Sequence, residues 1–467
     1  MPSGPERTLT AQVDAALASG SASVPLLLLA ARAGQGEVRP EDRLMVLGRS
    51  LELGRTSGAG PAVLPGAWAL EDPMASSKHA RLVRGDEGFT LEDLGSKNGT
   101  FVNGTRLTGA AALADGDLVQ LGGHFFVFRM ATQEQLDAVR AELALPLGPV
   151  ATVSPRMALQ SARLSKLAAS DAEVLLVGET GVGKEIYARA LHASSGRKGR
   201  FVALNCAAIP RELMESELFG FRAGAHSTAS GAKTGLVEEA EGGTLFLDEI
   251  GDMARDAQTK LLRFLQDRTL TPLGGTRART LDVRVVAATN RHVMPGATDG
   301  LRDDLLGRLG AAPLWLPPLR ERREDLGALI AHFLAQERRK RGGAPRGVEA
   351  RALAALAGAY LPLNVRQLEK IVTAAVALAH GQALIDRAHL PDSLPSAPPV
   401  PLPSERPLGE PRVGRKPPQP PPEPRDVARL LAQHQGNVAE VARALGRQRA
   451  AVWRWIKQFG LDPEDHR

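Results

Sequence analysis

Residues 174–185 read VLLVGETGVGKE, an apolar run followed by a glycine-rich turn and then a helical stretch. Glycines in the turn permit a tight backbone path that aims N–H groups inward, as a bound phosphate group requires. A lysine after the last glycine adds a positive charge suited to the β- and γ-phosphates of a nucleotide. The stretch therefore predicts a strand, a phosphate-binding loop and a helix. The residues of the predicted loop are Gly178, Glu179, Thr180, Gly181, Val182, Gly183, Lys184 and Glu185.

A second apolar run, GGTLFLDE at 242–249, ends in two carboxylates. Asp248 is placed to hold Mg²⁺ directly or through water, and Glu249 to orient and polarise an attacking water. The alternative is that these two acids are solvated residues at a strand end without a catalytic role. The phosphate-binding loop predicted upstream favours the role in catalysis. Glu185 stands where Ser or Thr usually supplies a hydroxyl to Mg²⁺, so the metal must depend more on other groups. We expect ATP and Mg²⁺ as ligands.

Composition divides the 467 residues into several regions, as the length alone suggests. Short apolar runs between Gly, Asp, Asn and Ser predict an all-β sandwich, and alternating helical and strand patterns predict an α/β parallel sheet. A segment with 13 of the chain's 33 prolines predicts an extended linker. The predicted regions are a β-sandwich at 22–130, a helical connector at 131–149, an α/β domain at 150–320, a helical subdomain at 321–394, the linker at 395–424 and a helical domain at 425–463.

Bulk features narrow the class of protein further. The net charge of +6 is consistent with nucleic-acid binding, and the single cysteine, Cys206, permits no intrachain disulfide and is expected to be a small buried residue. The apolar run at 24–30 is too short to span a bilayer, and Glu6 and Arg7 precede it, so a buried strand is expected rather than a secretory signal. We expect a cytoplasmic protein.

Eight motifs in the central region occur in a fixed order and resemble those of the AAA+ domain of bacterial enhancer-binding proteins, the sigma-54-dependent transcription activators. The resemblance covers about half of the chain. It implies a homo-oligomeric ring, from a dimer up to a hexamer, with ATP between subunits. The motifs are GETGVGKE at 178–185, FVALNCAAI at 201–209, ESELFG at 215–220, EEAEGGTLFLDEIGDM at 238–253, VRVVAATN at 283–290, LRDDLLGRL at 301–309, LPPLRER at 316–322 and LPLNVRQLE at 361–369.

The resemblance also implies roles for five residues of this chain. Asn205 resembles the residue that couples Glu249 to the nucleotide state, and Asn290 matches the first sensor residue, near the γ-phosphate. Arg302 and Arg308 match the arginines that reach the ATP of a neighbouring subunit, a role for which a guanidinium suits the spread charge of a transferring phosphoryl group. Arg366 matches the second sensor, although Leu-Pro-Leu-Asn precedes it where Trp-Pro-Gly-Asn is usual. For any of the arginines alone, a surface ion pair is the alternative.

One loop departs from the family pattern. The family normally has GAFTGA in the loop that contacts sigma-54, whereas this chain has GAHSTA. The histidine keeps a flat ring but is polar and titratable, and the threonine restricts a backbone position that is usually glycine. The loop is thus expected to be present but altered at the atoms that face sigma-54. Its residues are Gly224, Ala225, His226, Ser227, Thr228 and Ala229.

The N-terminal region resembles a forkhead-associated (FHA) domain, a β-sandwich that binds phosphothreonine through loops at one end. The resemblance rests on SSKHARL at 76–82, LEDLGSKNGTFVNGTRL at 91–107 and LADGDLVQLGGHFFVF at 113–128. It implies that Ser76 contacts the phosphate and that Asn98 holds the backbone of the bound peptide, which is chemistry found in other phosphopeptide readers. A phosphothreonine-containing protein is the expected partner. A sandwich that serves protein contacts without phosphate binding is the alternative.

An arginine is expected to complete the phosphopeptide site. Arg49 stands in a Gly-Arg pair at a strand end and is the preferred candidate. The spacer from there to Ser76 is longer than usual and contains a second Gly-Arg pair, so Arg55 is the alternative. His79 matches a position that braces the loops, and Ser77 replaces a common basic residue.

The C-terminal region has the pattern of a helix-turn-helix. VAEVARAL at 438–445 has apolar residues at helical spacing, a glycine ends the run, and RAAVWRWIKQF follows at 449–459. The region resembles the Fis-type helix-turn-helix of enhancer-binding proteins, whose second helix enters the major groove of DNA, although a helical hairpin that does not bind DNA is the alternative. Val452, Trp453 and Ile456 are expected mainly to pack. The expected DNA-contacting residues are Arg447, Gln448, Arg449, Arg454 and Lys457.

These features favour a transcription regulator that binds an enhancer-like upstream site, hydrolyses ATP and remodels sigma-54 RNA polymerase under the control of a phosphopeptide-binding domain. The altered GAHSTA loop supports a second hypothesis, in which a DNA-binding regulator does not act through sigma-54 but represses or acts with another sigma factor. A third hypothesis, an ATPase adaptor without DNA contact, is disfavoured by the basic helix-turn-helix.

Overall fold

A computed structural model describes most of the chain in two compact units, one within Met1–Glu405 and the other within Arg406–Arg467. Among the helices of the described residues, none is long and apolar enough to cross a membrane. The described residues of the first unit are 23–34, 40–55, 63–64, 67–86, 88–222, 232–290, 301–310, 313–392 and 394; those of the second are 424–434, 437–438, 440–441, 452, 456, 459 and 461.

The first unit begins with a β-sandwich, as predicted. Its two six-stranded sheets have the orders β2-β1-β12-β11-β8-β9 and β10-β7-β6-β3-β5-β4 over the described residues. Inward-facing side chains such as Trp68 and Phe126 fill the space between the sheets. The strands are β1 Val24–Arg32, β2 Leu44–Val46, β3 Ser50–Arg55, β4 Val63–Leu64, β5 Ala67–Leu70, β6 Ala80–Gly85, β7 Gly88–Asp93, β8 Thr100–Val102, β9 Thr105–Arg106, β10 Ala111–Leu113, β11 Leu118–Leu121 and β12 His124–Ala131.

Strand β1 is buried on both faces, which explains why its sequence is continuously apolar instead of alternating. Leu27 and Leu29 belong to the core between the two sheets. Leu26 and Leu28 point to the opposite face, where they pack with Leu136. The expectation of a buried strand in this run is confirmed.

A helical connector follows the sandwich, as predicted. Helix α1, Gln133–Ala144, begins at Thr132, whose side chain and that of Gln135 form a capping box with each other's backbone N–H groups. The buried face of α1 includes Val139 and Glu142. A carboxylate is thus enclosed at the junction between the sandwich and the next domain.

The central domain is built on a parallel sheet, which confirms the α/β prediction. Its strand order over the described residues is β14-β15-β18-β13-β19, with β16 and β17 paired separately. Strand β13 is buried along its whole length, as expected for a central strand covered on both faces. The strands are β13 Val174–Val177, β14 Phe201–Asn205, β15 Thr244–Asp248, β16 Thr269–Leu270, β17 Arg279–Thr280, β18 Arg284–Thr289 and β19 Leu314–Trp315; the helices are α2 Pro155–Ala168, α3 Lys184–Ser194, α4 Arg211–Phe219, α5 Leu236–Glu239, α6 Arg255–Asp267 and α7 Asp303–Leu309.

A helical subdomain follows the sheet. Its core contains Leu334, Leu353, Leu368 and Val372. The same cluster continues into apolar residues of the N-terminal sandwich, so the two parts share one core. The elements are α8 Leu326–Lys340, β20 Gly347–Val348, α9 Ala350–Ala357, α10 Asn364–Leu378 and β21 Leu384–Ile385.

The second unit contains helix α11, Pro424–Gln433. A small buried cluster joins Leu431 of this helix to Val441, Val452 and Ile456. The expectation that Val452 and Ile456 pack is therefore confirmed. Trp453 and the five expected DNA-contacting residues lie outside the described residues.

The buried carboxyl group in α1 gives a prediction for stability. Burial raises the pKa of Glu142 from 4.5 to about 7. Because the folded protein resists ionisation of this group, stability is lost as the pH rises from about 4.5 to about 7. We expect Glu142→Gln to increase the free energy of unfolding by roughly 1–3 kcal/mol at pH 8 and by little at pH 5. Urea unfolding at both pH values measures this difference.

Glu134→Gln is the matched control, since Glu134 lies on the exposed side of the same helix. It is expected to leave the pH dependence of wild-type stability unchanged. If Glu142→Gln shows the same pH dependence as wild type, the buried carboxyl group is not the cause.

Candidate nucleotide site and phosphopeptide loops

The predicted phosphate-binding loop joins the end of β13 to the start of α3. Gly181 and Gly183 have backbone φ angles of +79° and +107°, in the left-handed region that favours glycine. A Cβ atom on Gly181 would lie 2.1 Å from the carbonyl oxygen of Leu363, so only glycine fits at this close approach. The loop thus leads directly into the N-terminus of α3, and a helix N-terminus favours an anion.

The catalytic candidates lie beside this loop at the carboxyl end of the sheet. The Nζ atom of Lys184 lies 3.6 Å from Oε1 of Glu249 and donates to the carbonyl oxygen of Gly178 at 3.0 Å. Asp248 ends β15, and burial together with the neighbouring Glu249 carboxylate raises its pKa. The structure therefore brings the lysine and both predicted carboxylates together.

Asn290 connects the loop to Glu249. Its backbone N–H donates to Oε2 of Glu249 at 3.2 Å, and its Nδ2 donates to Oγ1 of Thr180 at 3.2 Å. Asn205 lies at the end of β14, in register with Asp248 on β15. The Oδ1 atom of Asn205 accepts the N–H of Ala207 at 2.9 Å and so caps a 3-10 turn. Both asparagines thus border the carboxylates.

A cavity of about 430 Å³ lies next to the loop and has both apolar and charged lining residues. Apolar side chains suit a nucleobase and charged side chains suit phosphate groups. Arg366 is among the lining residues, and its backbone N–H donates to the carbonyl oxygen of Gly181 at 3.3 Å. The apolar lining includes Val150, Ile186, Leu329 and Phe333, and the charged lining includes Lys184, Asp248, Glu249 and Arg366.

The donor set fits Mg²⁺ with a nucleotide. Asp248 supplies a carboxylate oxygen, the ligand type that Mg²⁺ prefers, next to a loop shaped for phosphate oxygens. Glu185 also lines the cavity, but its Oε1 accepts from Nη2 of Arg189 at 2.6 Å, one turn along α3. That ion pair holds the carboxylate of Glu185 along the helix surface.

Two residues that sequence reasoning missed hold the loop from the side of the helical subdomain. Nη1 and Nη2 of Arg320 each donate to an oxygen of Glu179 at 2.7 Å. Nδ2 of Asn364 donates to Glu179 at 3.1 Å and to the carbonyl oxygen of Thr180 at 3.0 Å. Arg320 lies in the motif LPPLRER and Asn364 in the motif LPLNVRQLE. Their place in these motifs was the feature of the sequence from which a role at this site could have been predicted.

The remaining arginine candidates do not line this cavity. Arg302 pairs with Asp304, with Nη2 and Oδ2 separated by 2.8 Å. Nη2 of Arg308 donates to the carbonyl oxygen of Leu265 at 3.1 Å. Their position outside the cavity of their own chain is compatible with the expected role towards a neighbouring subunit.

The GAHSTA loop, residues 224–229, lies outside the described residues, but its base is described. Phe221 and Lys233 exchange two backbone hydrogen bonds, of 3.0 and 2.9 Å. A Cβ atom on Gly220 would lie 2.5 Å from the carbonyl oxygen of Lys233, and one on Gly235 would lie 2.4 Å from the backbone nitrogen of Gly220. The two arms at the base of the loop therefore lie in direct backbone contact.

Ser76 and Asn98 lie together at one end of the sandwich. Oγ of Ser76 accepts the N–H of Lys97 at 3.0 Å, and Nδ2 of Asn98 donates to the carbonyl oxygen of Met74 at 2.6 Å. The backbone N–H of Arg55 donates to the carbonyl oxygen of Ser76 at 2.8 Å. A serine, an asparagine and an exposed arginine are therefore neighbours here.

Arg49 is not at this end. Its carbonyl oxygen accepts the N–H of Arg84 at 2.8 Å, at the opposite end of β3. Arg49 and Arg55 are six positions apart along β3 and the residue before it, which is about 20 Å of extended backbone. The placement corrects the preference for Arg49, because the register of β3 brings the second Gly-Arg pair to Ser76.

A buried histidine and a partly exposed aspartate shape these loops. Nδ1 of His79 accepts the N–H of Ser76 at 3.1 Å, so Nε2 carries the proton and faces the carbonyl oxygen of Gly99 at 3.2 Å. The expected bracing role of His79 is confirmed. Partial burial raises the pKa of Asp93, but hydrogen bonds from the side chains of Ser96 and Thr100 outweigh this effect and lower the pKa to about 2.

The expectation for Cys206 is also confirmed. The side chain is buried in the core of the parallel sheet. Burial, with the nearby Asp248 carboxylate, raises the pKa of its thiol to about 12. The thiolate needed for reactivity is therefore disfavoured.

Comparison with known proteins identifies the same parts. The family profile described as the sigma-54 interaction domain matches residues 150–315. Profiles of the FHA domain, the AAA+ ATPase lid domain and a homeodomain-like domain match residues 46–122, 320–405 and 425–464. Fold and site thus define a multidomain protein with an FHA sandwich, an AAA+ domain of the sigma-54 activator type and a helix-turn-helix.

Curated relatives place the chain in a family. It is 45% identical over 280 residues to the DNA-binding transcriptional regulator NtrC of Azospirillum brasilense, covering 59% of this chain and 56% of that protein. It is 38% identical over 323 residues to the regulatory protein AtoC of Escherichia coli, covering 68% of this chain and 69% of that protein. The chain belongs to the NtrC-like family of sigma-54-dependent transcriptional regulators.

The matched regions are partial. The chain spans about half to two thirds of the length of these two relatives. Among solved structures, NtrX from Brucella abortus in complex with ATP is 31% identical and covers 71% of this chain and 74% of that one, with a TM-score of 0.48.

The contact between Arg320 and Glu179 gives a prediction for ATP binding. Because Glu179 belongs to the phosphate-binding loop, we expect Arg320→Ala to loosen the loop and to weaken ATP affinity roughly threefold, as for a well-aligned, partly exposed ion pair. Calorimetric titration of the full chain with a nonhydrolysable ATP analogue measures the change.

Arg156→Ala is the matched control, because Arg156 forms an exposed ion pair with Glu321, with 3.0 Å between Nη1 and Oε2. It is expected to leave ATP affinity unchanged. Equal affinities of the Arg320→Ala variant and wild type would rule out the proposed support of the loop.

Proposed function

We propose that this chain hydrolyses ATP and uses the energy to remodel sigma-54 RNA polymerase at promoters, while bound to DNA at an upstream site. The observation that carries the proposal is the arrangement of Lys184, Asp248, Glu249 and Asn290 around one phosphate-binding loop. That loop belongs to the domain that matches the sigma-54 interaction profile.

The proposed chemistry divides among these residues. The loop amides, Lys184 and Arg366 bind and orient the phosphates, and Asp248 holds Mg²⁺. Bound Mg²⁺ would neutralise charge on the phosphate oxygens. Glu249 orients and polarises the attacking water, and Asn290 holds Glu249 through its backbone N–H. Asn205, beside Asp248, is proposed to couple Glu249 to the nucleotide state.

Hydrolysis is proposed to need a neighbouring subunit. Arg302 and Arg308 would reach the ATP of the adjacent chain in a homo-oligomeric ring, where a guanidinium stabilises the charge of the transferring phosphoryl group. Supporting this, both arginines lie outside the cavity of their own chain. Assembly would then control turnover.

The N-terminal sandwich is proposed to bind a phosphothreonine-containing protein and so to regulate the ring. Ser76 and Arg55 would contact the phosphate, and Asn98 the peptide backbone. Their proximity at one end of the sandwich supports the assignment.

The C-terminal domain is proposed to bind DNA through its second helix, in a cytoplasmic protein. A regulator that does not use sigma-54 is the alternative, which rests on the altered GAHSTA loop. Promoter opening in a reconstituted system separates the two. Opening by the sigma-54 holoenzyme with ATP supports the proposal, whereas opening only by another holoenzyme, or repression, supports the alternative.

The catalytic assignment gives a further prediction. Removing the carboxylate that polarises water should lower kcat for ATP hydrolysis in Glu249→Ala by at least about 100-fold, while ATP affinity changes by less than about threefold. Phosphate release and nucleotide titration measure the two quantities. Glu134→Ala removes an exposed carboxylate elsewhere and should change neither. Undiminished turnover in Glu249→Ala would exclude the assigned role.

The phosphopeptide assignment is tested by two matched arginine variants. In the Arg55→Ala variant, loss of a charge-assisted contact to phosphate should weaken binding of a phosphothreonine peptide about 10- to 100-fold. The Arg49→Ala variant should bind this peptide almost as tightly as wild type. Binding is measured by fluorescence anisotropy, with the unphosphorylated peptide as reference. A larger effect of Arg49→Ala would contradict the register-based choice, and equal affinity for both peptides would favour a sandwich that does not read phosphate.

A further inference from the structure

The FHA sandwich and the AAA+ lid subdomain share a closely packed interface. Ala31 and Phe125, on the paired strands β1 and β12, lie in one buried core with Leu326 and Ile330 of helix α8. A Cβ atom on Gly327 would lie 2.4 Å from the carbonyl oxygen of Ala30, so the helix approaches the strand as closely as only glycine allows.

Charged groups of the sandwich cross this interface. Nη2 and Nε of Arg129, on β12, donate to the two carboxylate oxygens of Glu324 at 2.8 and 3.1 Å. Glu324 is fully buried, with 0% exposure. Arg43 donates to the carbonyl oxygen of Glu324 at 3.2 Å, and its Nη2 lies 3.8 Å from Oδ1 of Asp325. Two arginines of the FHA region thus hold one short turn of the ATPase region.

The same turn reaches the nucleotide cavity. Nη2 of Arg322 donates to the carbonyl oxygen of Val182, in the phosphate-binding loop, at 2.7 Å. Asp325 accepts from Oγ1 of Thr152 at 2.6 Å and from the N–H of Val153 at 2.9 Å. Arg322, Asp325 and Thr152 all line the cavity. The turn therefore contacts the sandwich through Glu324 and Asp325 and the nucleotide site through Arg322 and Asp325.

We propose that Arg129 is a positioning residue of the ATPase site, which acts from the FHA domain by fixing Glu324 and thereby the turn that carries Arg322 and Asp325. The described partners of Arg129, which are Glu324, Asp115 and the carbonyl oxygen of Glu321, do not line the nucleotide cavity. Arg129 is therefore expected to affect the shape of the cavity rather than the chemical step. The inference rests on the proposed function, since it assigns to the FHA domain a part in the binding of the ATP that the ring hydrolyses.

A double-mutant cycle on the full chain tests this role by steady-state ATP turnover. Arg129→Ala and Glu324→Ala are each expected to raise the KM for ATP about 5- to 10-fold and to leave kcat within about twofold of wild type. The double variant is expected to raise KM no further than the larger single effect, because the two side chains act through one contact.

Matched controls keep the result interpretable. Arg81→Ala removes an arginine paired with Glu52 at 3.0 Å elsewhere in the sandwich and should leave KM unchanged. If Arg129→Ala does not fold, Arg129→Lys replaces it; the lysine keeps the charge but not the paired hydrogen bonds, so KM is expected to rise about two- to threefold.

Distinct results overturn the two proposals. The inference fails if the Arg129 variant keeps a wild-type KM, if Arg81→Ala raises KM as much, or if the single effects multiply in the double variant. The proposed function fails instead if the wild-type chain does not hydrolyse ATP, or if the hydrolysis that is observed persists in Glu249→Ala.

Discussion

Glu324 and Asp325 are adjacent carboxylates with 0% and 2% exposure, and burying two negative charges is tolerated only when cations and N–H groups reach them. The partners come from separate parts of the chain: Arg129 from the sandwich, Arg43 from the segment before β2, and Thr152 from the start of the α/β domain. Removing one partner would leave an uncompensated buried charge. This requirement fixes the sandwich, the parallel sheet and the lid relative to one another.

The phosphate-binding loop depends on the same arrangement. Its backbone is held from the lid side, by Arg322 at the carbonyl oxygen of Val182 and by Asn364 at that of Thr180. A nucleotide in the cavity would therefore contact the sheet domain and the lid at once. The sandwich is part of the same arrangement, because it shares one core with the lid.

The sequence was sufficient to predict the local elements of this structure. Glycine spacing at 178–185 and the strand-end acids at 248–249 are short-range signals, since backbone conformation and hydrophobic pattern specify them within a few residues. The fold class and the ATPase candidates were predictable for this reason. The presence of short strands in the sandwich was predictable from apolar runs bounded by turn residues.

Contacts between distant residues were not predictable. Arg129 and Glu324 are separated by 195 positions, and nothing in the local pattern of either residue indicates the other. The choice between Arg49 and Arg55 failed for a related reason, because two Gly-Arg pairs at the ends of one strand look alike until the register of β3 is known. Arg320 and Asn364 lay within recognised motifs, but their shared partner Glu179 emerged only from the folded chain.

The FHA sandwich and the nucleotide site are connected through the turn at 322–325, so a bound nucleotide should stabilise both. Hydrogen–deuterium exchange of the full chain, with and without a nonhydrolysable ATP analogue, measures this coupling. The analogue is expected to slow amide exchange in β1 and β12 together with the phosphate-binding loop and α8. Slower exchange in the loop and lid alone, with β1 and β12 unchanged, would show that the turn does not couple the sandwich to the nucleotide site.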